Sequence, residues 1–140
     1  MKTWVLDASA VLRFTDKEAG FNRVRELLRQ AARGEARVLI SAVNWGEIVH
    51  AIRKRTGARA ITILDDLQAL PITIATVDAA AAAEAGEFKL RFGVPFADAF
   101  AGSLALQTQA SDPSTVLITA DNDFRQVPQG LIAIEFLPAK

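Results

Sequence analysis

Thr3-Trp4-Val5-Leu6-Asp7-Ala8-Ser9-Ala10 is the stretch on which the reading of this chain turns. Four residues with strong strand preference end abruptly on a carboxylate, and small residues follow. Thr3 to Leu6 reads as a buried strand, and residues 8 to 14 as a short helix after it. A strand that delivers Asp7 directly into a helix start is the arrangement in which open α/β sheets place their sites.

Further along, the same alternation recurs. Phe21, Val24, Leu27, Leu28 and Ala31 repeat at helical spacing, which predicts a helix over 21–33, stopped by Gly34. Residues 37–41 read as a second strand. Trp45, Ile48, Val49 and Ile52 form the apolar stripe of a helix over 43–55, with Glu47 on another side together with His50 and Lys54. A helix over 58–70 precedes Pro71 and the β-branched run 72–77. Asp78 is an N-cap for a helix reaching about residue 91. Residues 96–109 form another helix, with Phe100, Leu104 and Ala105 facing inward. Residues 116–119 are a strand, 123–126 a short helical turn, and 132–136 the last strand. Strands alternating with helices imply an α/β fold: a three-layer α/β/α domain with a central, mostly parallel sheet.

The chain has 140 residues, and no shift in composition divides it, so a single domain over 1–140 is expected. Hydrophobic residues make up 51%, enough for a buried core and against disorder. Without cysteine there is no disulfide, thiolate zinc site or thiol nucleophile. Asp7 arrives too early for a signal peptide, and the apolar stretch 71–86 is broken by Asp78 and Glu84 and too short for a bilayer span. A soluble cytoplasmic protein with no membrane association is expected. Net charge is zero, but residues 1–59 hold 12 basic and 6 acidic side chains (+6), against 4 and 10 in residues 60–140 (−6). A basic half can help hold a polyanion, and an acidic half can gather around a cation.

Four acids fall where such a fold gathers its loops: Asp7, Glu47, Asp98 and Asp121. Converging carboxylates repel: at about 4 Å and an effective dielectric near 20, each pair costs roughly 4 kcal/mol. A cluster of this kind therefore binds a cation or keeps some members protonated. Oxygen ligands favour a hard ion, so Mg²⁺ is expected, with Mn²⁺ able to substitute. Such ions keep waters, one of which can attack a phosphodiester. Each acid also has an ordinary use. Asp7 can cap a helix, Asp98 can sit on a helix dipole, Glu47 can face solvent, and Asp121 suits a turn in Asp121-Asn122-Asp123.

The surroundings of these acids resemble the PIN-domain nucleases. Val5-Leu6-Asp7-Ala8-Ser9-Ala10 is similar to that family's opening, with an acid at a strand end and a hydroxyl two places on. Asn44-Trp45-Gly46-Glu47, Phe96-Ala97-Asp98-Ala99-Phe100-Ala101 and Leu117-Ile118-Thr119-Ala120-Asp121-Asn122-Asp123-Phe124 resemble its later elements, in order and over essentially the whole chain. Single-domain PIN proteins of this length resemble VapC-type toxins. That resemblance implies a Mg²⁺- or Mn²⁺-dependent endoribonuclease, homodimeric and inhibited by a VapB-type antitoxin. By position, Asp7, Glu47, Asp98 and Asp121 correspond to the metal-binding acids, with Asp123 an additional member. Ser9 and Thr119 correspond to hydroxyls that orient them, and Asn44 shares the cleft.

Other readings carry less. His50 is the only histidine, so no histidine-pair ribonuclease mechanism is available, and beside Glu47 it reads first as a surface or packing residue. Trp4 and Trp45 read as core. Arg53, Lys54, Arg55 and Arg59 form a basic cluster at a solvated helix end. No Walker A loop, Gly-x-Gly-x-x-Gly run or Gly-x-Ser-x-Gly elbow is present. A phosphoacceptor signalling domain needs a lysine after a late strand, and none lies between Lys89 and Lys140. A housekeeping RNA-processing nuclease, and a non-catalytic binding module on the same fold, stay as alternatives to the toxin.

Overall fold

In a computed structural model describing residues 1–140, five strands form one sheet in the order β3-β2-β1-β4-β5. The strands are β1 (Lys2–Leu6), β2 (Ala36–Ser41), β3 (Thr73–Ala75), β4 (Val116–Thr119) and β5 (Ala133–Phe136). The sequence predicts a mostly parallel sheet; all four pairings are parallel. Six α-helices connect them: α1 (Ala8–Thr15), α2 (Phe21–Ala32), α3 (Ala42–Thr56), α4 (Ala60–Gln68), α5 (Ala79–Phe92) and α6 (Phe96–Ser111).

The period of two along β1 divides the core. Trp4 and Leu6 join Val38, Ile40 and Ile118 under α1 to α4, where Val24, Leu27, Ile48 and Ile52 are buried. Val5 points the other way and joins Leu117 under α5 and α6, with Phe88, Ala99, Phe100 and Ala105. A central strand covered on both faces has no polar position to spare, which is why residues 3–6 show an apolar run rather than alternation. The expectation of three layers is met, and Trp4 lies in the core at 4% exposure. Trp45 is only partly buried, against an apolar cavity of about 180 Å³ lined also by Val11, Ile40, Ile48 and Leu67.

Boundaries follow local chemistry. Asp78 caps α5, its Oδ1 accepting from Ala81 N at 2.9 Å. After α2, Gly34 takes φ 75°, a left-handed conformation that stops the helix. The predicted helix over 58–70 is shorter: a 3₁₀ turn at Gly57–Arg59 precedes α4, because Gly57 at φ 57° breaks the helical path first. The run 72–77 supplies only the three residues of edge strand β3. No helix is long and apolar enough to cross a membrane.

Strand order reverses its direction of travel beside β1: the chain moves from β1 to β2 and β3 on one side, then returns to β4 and β5 on the other. Loops therefore diverge beyond the carboxyl ends of β1 and β4 and leave a crevice there. Among the helices that wall it, α6 packs tightly on α5. A Cβ at Gly102 would lie 2.4 Å from Phe88 Cζ, and that ring is itself buried. Gly102→Ala should therefore destabilise by about 1–2 kcal/mol, overpacking outweighing the helix preference of alanine. Urea unfolding tests this, and Phe88→Leu in the same chain should recover most of the loss.

Candidate active site

Asp7 follows β1 directly and starts α1. Its Oδ1 accepts from Ala10 N at 2.9 Å, an N-cap that satisfies one free backbone donor of the helix. The carboxylate is also held by two hydroxyls. Ser9 Oγ donates to Oδ1 at 2.7 Å, and Thr119 Oγ1, from the end of β4, donates to Oδ2 at 2.5 Å. The same hydroxyls accept from the loop after β4: Ala120 N to Ser9 Oγ and Asp121 N to Thr119 Oγ1, both at 2.9 Å. One network thus ties the ends of two neighbouring strands together around a carboxylate only 2% exposed.

Asp121 leads into a 3₁₀ turn over Asn122–Gln126, and its Oδ1 accepts from Asp123 N at 2.8 Å. Phe124, fully buried, pins that turn to the core and so fixes the two carboxylates that precede it. Asp98 stands in the first turn of α6, after Pro95. Glu47 projects from the second turn of α3. Asn44, 0% exposed and one turn earlier, donates from Nδ2 both to Glu47 Oε1 at 2.9 Å and to Ala97 O at 3.0 Å, so it joins α3 to the start of α6.

Asp7, Glu47, Asp98 and Asp121 all line one cleft of about 360 Å³, with Ala8, Ser9, Leu12, His50 and Ala51. All four acids singled out in the sequence are brought together. The tightest group is different in membership: Asp98, Asp121 and Asp123 offer oxygens within 4.8 Å of one another. Asp123, an additional member in the sequence reading, thus shares this group with Asp98, which is 25 residues away in the chain. His50, read as a surface or packing residue, is exposed but forms part of the cleft wall. The signal for it was its i, i+3 spacing from Glu47. Ser9, Thr119 and Asn44 touch the carboxylates as described; Asn44 does so through Glu47.

The electrostatics reflect crowding. Burial pushes the Asp7 carboxyl up to about 6 against the hydrogen bonds from Thr119, Ser9 and Ala10, with the Asp121 charge adding to the rise. Asp98 is pushed up to about 8, by burial first and then by Asp121, Asp7 and Glu47. Asp123 is raised mainly by the charge of Asp121. Asp98 Oδ2 is buried and has no hydrogen-bond partner. An unpartnered, buried carboxylate oxygen among other carboxylates is costly unless a proton or a cation satisfies it. The donor set is oxygen alone, so these residues fit a hard divalent cation, with Asp98, Asp121 and Asp123 best placed to hold it and Asp7 and Glu47 on the same cleft.

The chain matches the PIN domain over residues 4–130. It belongs to the PIN-domain family. Its fold is similar to that of VapBC2 from Rickettsia felis bound to a DNA fragment from their promoter, with TM-score 0.73 and 15% identity over 97% of this chain and 99% of that one. DNA-bound VapBC from Salmonella typhimurium gives TM-score 0.70 and 17% identity over 97% and 98%. VapC20 from Mycobacterium tuberculosis, a Sarcin-Ricin loop cleaving toxin, gives 0.64 and 19% over 87% and 92%. No curated protein matches the chain closely enough to be called a relative.

Carboxyls with pKa raised by folding bind more protons folded than unfolded, so the metal-free protein should lose stability as pH rises from about 4 through the Asp7 and Asp98 values near 6 and 8. Mn²⁺ should restore it at the alkaline end. Asp98→Asn should flatten the pH slope, raise the metal-free melting temperature at pH 8 by on the order of 3 °C, and abolish the Mn²⁺ effect. Calorimetry with EDTA and with Mn²⁺ reads all three.

Proposed function

We propose that this PIN-domain protein is a Mg²⁺-dependent endoribonuclease, with Mn²⁺ able to substitute, and that it acts as the toxin of a toxin–antitoxin pair. The observation that carries the reading is the convergence of Asp98, Asp121 and Asp123 on one point, beside Asp7 and Glu47, with Asp98 Oδ2 unpartnered. A divalent cation held there supplies Lewis acidity toward a phosphodiester and a water of lowered pKa.

The chain's own residues prepare that step. Ser9 and Thr119 lock Asp7 in one orientation, so the cleft wall needs no rearrangement when charge develops. Asn44 aims Glu47 at the cleft and sets its position relative to the start of α6. Asp121 and Asp123 are placed by the 3₁₀ turn. Raised affinity of Asp98 for a proton means that cation and proton compete for the same oxygen, which favours the loaded site at neutral to alkaline pH.

The toxin role rests on likeness in fold and extent: nearly the whole chain aligns with nearly the whole of the VapBC2 and VapBC chains. A small VapB-type antitoxin, a homodimeric assembly and a cytoplasmic location go with that role. A housekeeping RNA-processing nuclease would use the same site, and a non-catalytic module would have no need of crowded, proton-retaining carboxylates.

Asp98→Asn and Asp7→Asn should each abolish Mn²⁺-dependent cleavage of total RNA while leaving the circular dichroism spectrum unchanged; full cleavage by both removes the cluster from the mechanism. Thr119→Val, which keeps the shape but not the donor to Asp7, should lower cleavage by about 10- to 100-fold.

A further inference from the structure

A polyanion that places one phosphate among carboxylates needs its neighbouring phosphates held by donors outside the cluster. Of the nine residues lining the cleft, four are acids, three are apolar (Ala8, Leu12, Ala51), and Ser9 already spends its hydroxyl on Asp7 and Ala120. His50 is what remains. It is exposed on α3, and its imidazole enters none of the chain's hydrogen bonds or ion pairs, so it is free to donate to a ligand in the cleft.

Helix geometry extends the line. At 3.6 residues per turn, Lys54 lies nearly in register with Glu47 two turns on, between the directions of His50 and Ala51 and roughly 6 Å along the axis from His50. Lys54 is exposed and enters no ion pair. Its neighbours differ. Arg55 is engaged with Asp16 at 2.5 Å, and Arg53 is rotated about 120° away from Glu47 around the helix. Leu12 of α1 and Ala51 of α3 line the same cleft as His50.

We infer that His50 and Lys54 form a track along α3 that holds the backbone of a single-stranded RNA next to the scissile phosphate, with Leu12 and Ala51 lining the same cleft. This rests on the nuclease reading above and adds to it the path by which substrate leaves the cleft. RNA is favoured over an acidic protein segment because the track begins at the cleft that the nuclease reading assigns to a phosphodiester.

The test is fluorescence anisotropy of a short, labelled, mixed-sequence RNA with the full chain in EDTA at mildly acidic pH, where the metal-free protein is most stable and cleavage is off. His50→Ala and Lys54→Ala should each weaken binding about three- to tenfold. Lys54→Ala should also reduce the slope of log affinity against log salt by about 0.7. Arg37→Ala, at the amino end of β2 and so at the end of the sheet away from the cleft, should change neither. Unchanged RNA affinity in both α3 variants, with Mn²⁺-dependent cleavage by the wild type intact, overturns the track and leaves the nuclease standing. Loss of polyglutamate binding in the variants with RNA affinity unchanged overturns it in favour of an acidic protein partner. Absence of RNA binding and cleavage by the wild type overturns both.

Discussion

A carboxylate almost without water sits between the ends of two adjacent parallel strands, and the edge of the sheet is organised around it. Asp7 is 2% exposed, and its environment is satisfied by Ala10 N, Ser9 Oγ and Thr119 Oγ1. Each of those hydroxyls also accepts from the loop after β4. The position of Asp121 is therefore set by the group that holds Asp7, and a change at one is felt at the other. Neutral hydrogen bonds offset only part of the desolvation, which is why the Asp7 carboxyl stays above its ordinary range.

Helix capping accounts for some of these acids but not for all. Asp7 caps α1, and Asp121 caps the 3₁₀ turn after it, so either could persist for structural reasons alone. Asp98 cannot. It caps nothing, leaves Oδ2 buried without a partner, and faces the charges of Asp121, Asp7 and Glu47. A fold selected for stability would place asparagine or alanine there. The destabilisation is local and coherent, and a bound cation would remove it, which is the physical signature of a site rather than of a surface.

Much of this was legible in residue order. The apolar run Thr3 to Leu6 and the abrupt Asp7 specify a buried central strand, and the alternation of Trp4 and Val5 between two cores follows from its period. Asp78 as a cap and Asp98 as a first-turn residue also read directly. Two things did not. The 3₁₀ turn at Gly57–Arg59 hides in a sequence with good helical periodicity, because one positive-φ glycine outweighs the spacing around it. The other is how near Asp123 comes to Asp98: residue order shows a turn at Asp121-Asn122-Asp123 and a helical turn after it, but not that the Asp121 cap and the buried Phe124 together bring the Asp123 carboxylate within reach of α6.

The wall formed by α3 differs in kind from the rest of the cleft. Asp7 is buried and Asp98 and Asp121 are partly so, whereas Glu47 is exposed and reaches the cleft from a helix whose next turn carries His50. Asn44 reconciles the two regimes. Its fully buried amide donates to the carbonyl of Ala97 on one side and to Glu47 on the other, which ties α3 to the start of α6. Asp98, Asp121 and Asp123, set by α6 and the loop after β4, can therefore define a cation site beside Asp7. Glu47, on α3, belongs to the face that meets the rest of the substrate. Burial raises the proton affinity of Asp7 and Asp98, while the helix that carries Glu47 also carries the free donors: charge is concentrated where a cation can answer it, and hydrogen-bond donors begin where the cation's reach ends.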